Sequence, residues 1–218
     1  MLTEALSDHS QDARDWQSIL RHASIPTAML LRRLQLESRI DDCDPDPDFR
    51  CLVTQTYIEK ITPGDFDDPL LRQILPLRAE NDRHIQISGR DDPVGDLDAT
   101  ATTGLLHKYH GRALMIATAA CAVHCRYCFR RNYPYHHASL TPEHIASAIE
   151  YISSEPDIDE VILSGGDPLV LSNERLAFLI TQLEPVSQLT TLRIHSRLPV
   201  VLPERIDEGL LRILGETR

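Results

Sequence analysis

Long hydrophobic runs are missing from this chain of 218 residues. No stretch approaches the ~18 consecutive apolar residues that a bilayer-spanning helix needs, so no membrane association is expected. The opening Met1–Asp8 has neither a basic region nor an apolar region of the kind found in secretory signals. A cytoplasmic protein is therefore expected. Positive charge is also short: 22 Lys+Arg stand against 33 Asp+Glu, a net charge of −11, which speaks against a general nucleic-acid binder. Lysine itself is scarce, occurring only at Lys60 and Lys108. Aromatics make up 5% and the 9 Gly are outnumbered by 14 Pro, which excludes collagen-like and low-complexity chains. Cysteine is limited to Cys43, Cys51, Cys121, Cys125 and Cys128. An odd number without an export signal argues against a disulfide framework. Three of the five fall within eight residues, which points to metal binding in a reducing compartment.

What is present divides the chain. Residues 1–100 hold 20 acids and 11 bases, and residues 101–218 hold 13 and 11. The near-neutral second part is the better place for anionic ligands, although a more solvated first part would give the same imbalance. Trp16, Ile19, Leu20, Leu30, Leu31 and Leu34 recur at helical spacing over 11–40, and Pro26 splits the stretch into two helices. Asp44–Asp48 reads as a loop, 52–76 as short apolar pieces, and 80–103 as an irregular connector.

From residue 113 the pattern changes. Ala113–Thr118 and Glu160–Ser164 are short apolar runs suited to buried parallel strands, and Thr190–His195 is a third strand. Thr141-Pro142 opens one helix, Asn173 caps a second, and 203–214 form a third. Strand–loop–helix repeated three times implies βαβ units around a parallel sheet, with chemistry at the carboxyl ends of its strands. The expected fold class is α/β: an N-terminal, mainly helical region and connector (1–103), then a partial (β/α) barrel (104–218). The chain stops at Arg218, so the barrel is read as truncated after about three βα units. Its third strand would then be an exposed hydrophobic edge.

The loop after the first of these strands reads Cys121-Ala122-Val123-His124-Cys125-Arg126-Tyr127-Cys128. Thiolates spaced C-x3-C-x2-C suit three irons of a [4Fe–4S] cluster and leave the fourth iron open. A structural zinc site would want a fourth ligand, for which His124, His136 and His137 are the candidates. The aromatic Tyr127 directly before the third cysteine, and Gly165-Gly166-Asp167 after the next strand, favour iron–sulfur.

Together these features resemble the radical S-adenosylmethionine superfamily. His107–Arg112, Cys125–Arg131, Ser164–Leu169 and Arg193–Pro203, with Asp67–Gln73, are similar to the lysine 2,3-aminomutase family. Within it they are most similar to the branch that makes (R)-β-lysine for modifying elongation factor P. The resemblance implies an isomerase that uses a [4Fe–4S] cluster, S-adenosyl-L-methionine and pyridoxal 5′-phosphate to convert L-lysine. It also implies a reducing electron donor and a functional link to elongation factor P and its lysyl ligase, and leaves homo-oligomerisation open.

Carried over by residue, Cys121, Cys125 and Cys128 would hold the cluster, and Tyr127 would lie near the adenine. Gly165, Gly166 and Asp167 would meet the methionine amino group, and Ser196 and Arg197 the ribose and carboxylate. Lys108 and Arg112 would meet the pyridoxal phosphate group, and Arg130 would grip the substrate carboxylate. The lysine that carries pyridoxal phosphate in the family lies downstream of the barrel, and neither Lys60 nor Lys108 matches it. The alternative is therefore a truncated, non-catalytic iron–sulfur or zinc-binding α/β module.

Overall fold

An unbroken apolar run can be a strand only if both of its faces are covered, and two runs in this chain satisfy that. Glu160–Gly165 (β4) is buried over its first five residues, and Arg112–Thr118 (β3) buries Ala113, Met115, Ile116 and Ala117. The computed structural model describes residues 15–45, 50–81, 89–137 and 140–217, without the side chains of Asn81 and His137. The readings on Met1–Asp8, on Asp46–Asp48 and on His137 as a ligand lie outside the described residues.

β3, β4 and Thr191–Ile194 (β5) form a parallel ladder with Arg112 opposite Glu160, Ile116 opposite Ser164 and Ile162 opposite Arg193. Two further strands extend it on the other side. Thr100–Thr102 (β1) pairs antiparallel with Leu105–Tyr109 (β2), and β2 pairs antiparallel with β3. The result is an open five-stranded sheet in chain order, with β1 and β5 at its edges. The connector is thus not irregular throughout. Its last residues make β1, and a tight His110–Gly111 turn joins β2 to β3. Gly111 adopts φ +81° there, the left-handed conformation such hairpins require.

The long crossovers are helices. Pro142–Ser154 (α4) starts as its sequence dictates: Thr141 accepts from the His144 amide and Pro142 occupies the first turn. Asn173–Leu183 (α5) is capped one residue earlier than expected, because the Ser172 hydroxyl reaches the Arg175 amide. The helix expected over 203–214 is in two pieces, preceded by a further short helix. Leu198–Val201 (α6) ends before Pro203, a single 3₁₀ turn spans Pro203–Arg205, and Glu208–Glu216 (α7) begins afresh at the Asp207 cap. Ala113, Met115, Val161 and Leu163 pack with Ile145, Ala148, Ile152, Leu176, Leu179 and Ile180 in the main core. The opposite face of the sheet carries Leu106 and Ile116 against Tyr133 and Tyr135.

β5 lies at the edge, as the sequence reading requires, but that edge is not simply hydrophobic. Thr191 and Arg193 are exposed, and Leu192 and Ile194 are half-buried.

The N-terminal part supplies Trp16–Arg21 (α1), Thr27–Arg33 (α2) and Gln55–Ile58 (α3), the first two separated at Pro26 as expected. It docks on α6. The Thr54 hydroxyl donates to the Val201 carbonyl, and Lys60 Nζ donates to the Val200 carbonyl at 2.6 Å. Arg205 is fully buried beneath Trp16, 4.6 Å from its ring, and donates to the carbonyls of Leu169 and Leu171 at 2.7 and 3.2 Å. Among the described residues no helix is long and apolar enough to cross a membrane.

Candidate active site at the carboxyl ends of the parallel strands

The cysteine loop leaves the end of β3 and is fastened at once to the end of β4. The Gly166 amide donates to the Thr118 carbonyl at 2.6 Å, and the Asp167 amide to the Ala120 carbonyl at 2.8 Å. This contact explains Gly166: a Cβ there would collide with the Ala119–Ala120 backbone. The glycine therefore lets two backbones meet, rather than only clearing space for a ligand.

Three pieces of the N-terminal part hold the loop from its other side. The His124 amide donates to the Leu52 carbonyl at 2.9 Å, and its ring Nδ1 lies 2.8 Å from the Arg50 carbonyl. The Arg126 amide donates to the Gln73 carbonyl at 2.8 Å, and its guanidinium meets the Arg72 carbonyl and the Glu80 carboxylate.

Cys121, Cys125 and Cys128 are free thiols lining one cavity of about 510 Å³. Tyr127, Arg130, Gly165, Gly166, Asp167, Ser196 and Arg197 line the same cavity. So every residue assigned from the sequence to the cluster or to S-adenosylmethionine meets there. Among the described residues no three His, Cys, Asp or Glu side chains converge on a point for a single metal ion. Neither His124 nor His136 lines the cavity. Three thiols spread around a cavity are the donor set of a cluster, in which each sulfur takes a different iron, and not of a four-ligand zinc ion. The residues present therefore fit an iron–sulfur cluster.

Burial, then Asp167 and the other two thiols, push the Cys121 thiol up to about 12. Iron binding at this thiol would therefore displace a proton. Asp167 is itself buried, and burial raises its pKa against the hydrogen bonds it accepts. Its two oxygens take the Leu169 amide at 3.0 Å and the Arg197 amide at 2.7 Å, which ties the end of β4 to the loop after β5. Tyr127 is 61% exposed at the rim.

A second cavity of about 340 Å³ runs along the same face of the sheet and shares Phe129, Arg130, Ser164 and His195 with the first. Lys108 and Arg112 line it. Four cations, Lys108, Arg112, Arg130 and Arg193, face two carboxylates. Arg112 and Arg193 pair with Glu160, and Arg130 and Lys108 pair with Asp96 at 2.7 and 3.9 Å. The excess of positive charge suits an anionic ligand. His195, exposed at the cavity mouth, has its pKa lowered by partial burial and by Arg193 and Arg130 beside it.

Arg130 is 7% exposed and also donates to the Ser164 hydroxyl at 3.1 Å. Sequence reasoning missed Asp96 and Gln73. Asp96 sits in an aspartate-rich connector with no periodicity to mark it. Gln73 lay inside the quoted Asp67–Gln73 segment, but nothing local assigns it a role.

Comparisons agree with this geometry. The Radical SAM superfamily profile matches residues 115–215. The L-lysine 2,3-aminomutase of Haemophilus influenzae is 39% identical over 213 residues, covering 95% of this chain and 62% of the relative. That of Escherichia coli strain K12 is 42% identical over 170 residues, covering 78% and 48%. That of Clostridium subterminale is 36% identical over 166 residues, covering 76% and 39%. The chain thus spans less than two thirds of the length of these relatives. With the cysteine motif and the Gly-Gly-Asp strand end in one cavity, residues 115–215 match the Radical SAM superfamily and the chain is similar in sequence to the L-lysine 2,3-aminomutases.

Proposed function

We propose that this chain is an aminomutase of the lysine 2,3 type, an isomerase acting on L-lysine to give (R)-β-lysine for elongation factor P and its lysyl ligase. It would work in the cytoplasm with a reducing electron donor. The observation that carries this reading is the convergence of the three cysteines, Gly165-Gly166-Asp167 and Ser196-Arg197 on one cavity that opens towards a cationic second cavity. The relatives' identity as L-lysine 2,3-aminomutases supports the substrate. The elongation factor P role rests on the sequence resemblance.

Cys121, Cys125 and Cys128 would hold a [4Fe–4S] cluster. Gly165, Gly166 and Asp167 would receive the amino group of S-adenosylmethionine, Ser196 and Arg197 its ribose and carboxylate, and Tyr127 its adenine. Lys108 and Arg112 would take the phosphate of pyridoxal phosphate. Arg130 would take the substrate carboxylate, for which a planar fork is the better shape than a point charge. When bound, these groups supply one-electron radical chemistry and the means for an amino group to migrate. The chain's own contribution is to orient the ligands and to keep a set of paired cations facing them in a partly desolvated site.

The test is reduction of the anaerobically reconstituted protein with dithionite in the presence of S-adenosylmethionine. Methionine and 5′-deoxyadenosine are expected, whereas β-lysine from added L-lysine and pyridoxal phosphate is expected only where a lysine that carries pyridoxal phosphate is also supplied, since neither Lys60 nor Lys108 matches it. Iron-loaded, reduced protein that leaves S-adenosylmethionine intact would overturn the reading.

A further inference from the structure

Arg197 is the residue through which the two ends of the site are joined, and its guanidinium is fully directed. One terminal nitrogen, Nη1, donates to the Cys125 sulfur, and the other, Nη2, donates to Gln73 Oε1 at 2.7 Å. The same Gln73 oxygen accepts from the Tyr127 hydroxyl at 3.1 Å. Gln73 is itself fixed, because its Nε2 donates to the Pro69 carbonyl at 3.0 Å and its carbonyl takes the Arg126 amide. A carboxamide from the N-terminal part thus reaches both flanks of Cys125: the tyrosine two residues on, and the arginine from the β5 loop.

A cation donating to a thiolate sulfur stabilises the more negative, reduced form of a cluster, since hydrogen bonds to the sulfurs and net charge are what set its potential. We propose that Gln73 is a positioning residue. It holds Arg197 as a charged donor to the Cys125 sulfur and so makes the cluster easier to reduce by one electron. The step adds an electron from an external reductant and makes or breaks no covalent bond. The inference rests on the cluster reading above and deepens it.

Redox titration of the reconstituted protein, followed by electron paramagnetic resonance, is the test. At the potential where the parent is half reduced, Arg197→Gln should lower the ratio of reduced to oxidised cluster about tenfold, equivalent to ~59 mV for one electron. Gln73→Leu keeps the charge but frees it, and should lower the ratio in the same direction by a smaller factor. The double variant should match Arg197→Gln alone, because Gln73 acts only through Arg197.

A merely structural Gln73 would change iron content or thermal stability and leave the potential of the loaded fraction alone. Gln73→Leu at the parent's potential, or shifts that add in the double variant, would overturn the proposal. Iron analysis of the parent separates this failure from the earlier one. A parent that assembles no cluster overturns both readings, whereas a loaded parent with an unmoved Gln73→Leu overturns only this one.

Discussion

Alanine at Cys121, Cys125 or Cys128 is expected to abolish assembly of a cluster of about four irons, whereas alanine at Cys43 or Cys51 leaves assembly intact. Acidity does not separate the two groups. Burial, with Asp42 beside it, pushes the Cys43 thiol up to about 11; burial, with Cys43 beside it, pushes Cys51 up to about 12, where Cys121 also stands. Position separates them. Cys43 and Cys51 are packed in the core beside the N-terminal helices, and Cys43 makes a backbone bridge with Leu77. The other three line the cavity at the carboxyl ends of β3 and β4. Losing one of these would remove the protein ligand to one iron, and among the described residues the His on the cavity wall is His195, beyond the end of β5. Iron and sulfide analysis after anaerobic reconstitution checks this. An iron requirement for Cys43 or Cys51 would show the three-thiolate assignment to be wrong.

The second large effect is expected far from any cysteine. Asp96→Ala should destabilise the fold by about 3–5 kcal/mol, a large share of the 5–15 kcal/mol typical of a domain. Arg130 and Asp96 bury their charges together, with side chains 7% and 8% exposed, and the carboxylate also faces Lys108. Removing it leaves a desolvated guanidinium with the Ser164 hydroxyl and the Phe129 ring as neighbours and no carboxylate. Asp96→Asn keeps an acceptor and should cost less. The Asp96 loop itself is held by Asp92, which accepts from the amides of Asp96 and Leu97 at 2.9 and 2.8 Å. Urea denaturation with midpoints for the parent and both variants decides the matter. An Asp96→Ala midpoint equal to the parent's would show that the pair contributes nothing.

These two expectations mark where the sequence was legible. The cysteine loop, Gly165-Gly166-Asp167 and the strands at Ala113–Thr118 and Glu160–Ser164 could be read because their signals are local. Each is a fixed spacing, a turn dipeptide or an apolar run, and the Thr141-Pro142 helix start is of the same kind. Asp96, Gln73 and Glu80 act across 34 to 124 residues of chain, and no periodicity marks a side chain whose partner is that remote. The β1–β2 extension was hidden for a related reason. Thr100–Thr102 is short and mostly half-exposed, so it lacks the alternation that reveals a strand. The broken third helix shows local competition instead. The Asp207 cap favours a boundary that the apolar spacing of 203–214 concealed.

Whether three thiolates hold a cluster with one iron left open for S-adenosylmethionine can be read from Mössbauer spectra. The protein would be reconstituted with isotopically enriched iron and measured with and without S-adenosylmethionine. The account predicts that about one iron in four changes its isomer shift and quadrupole splitting on addition of the ligand while the others do not. Four irons that are indifferent to S-adenosylmethionine, or a protein that takes up stoichiometric zinc and no iron, would contradict it.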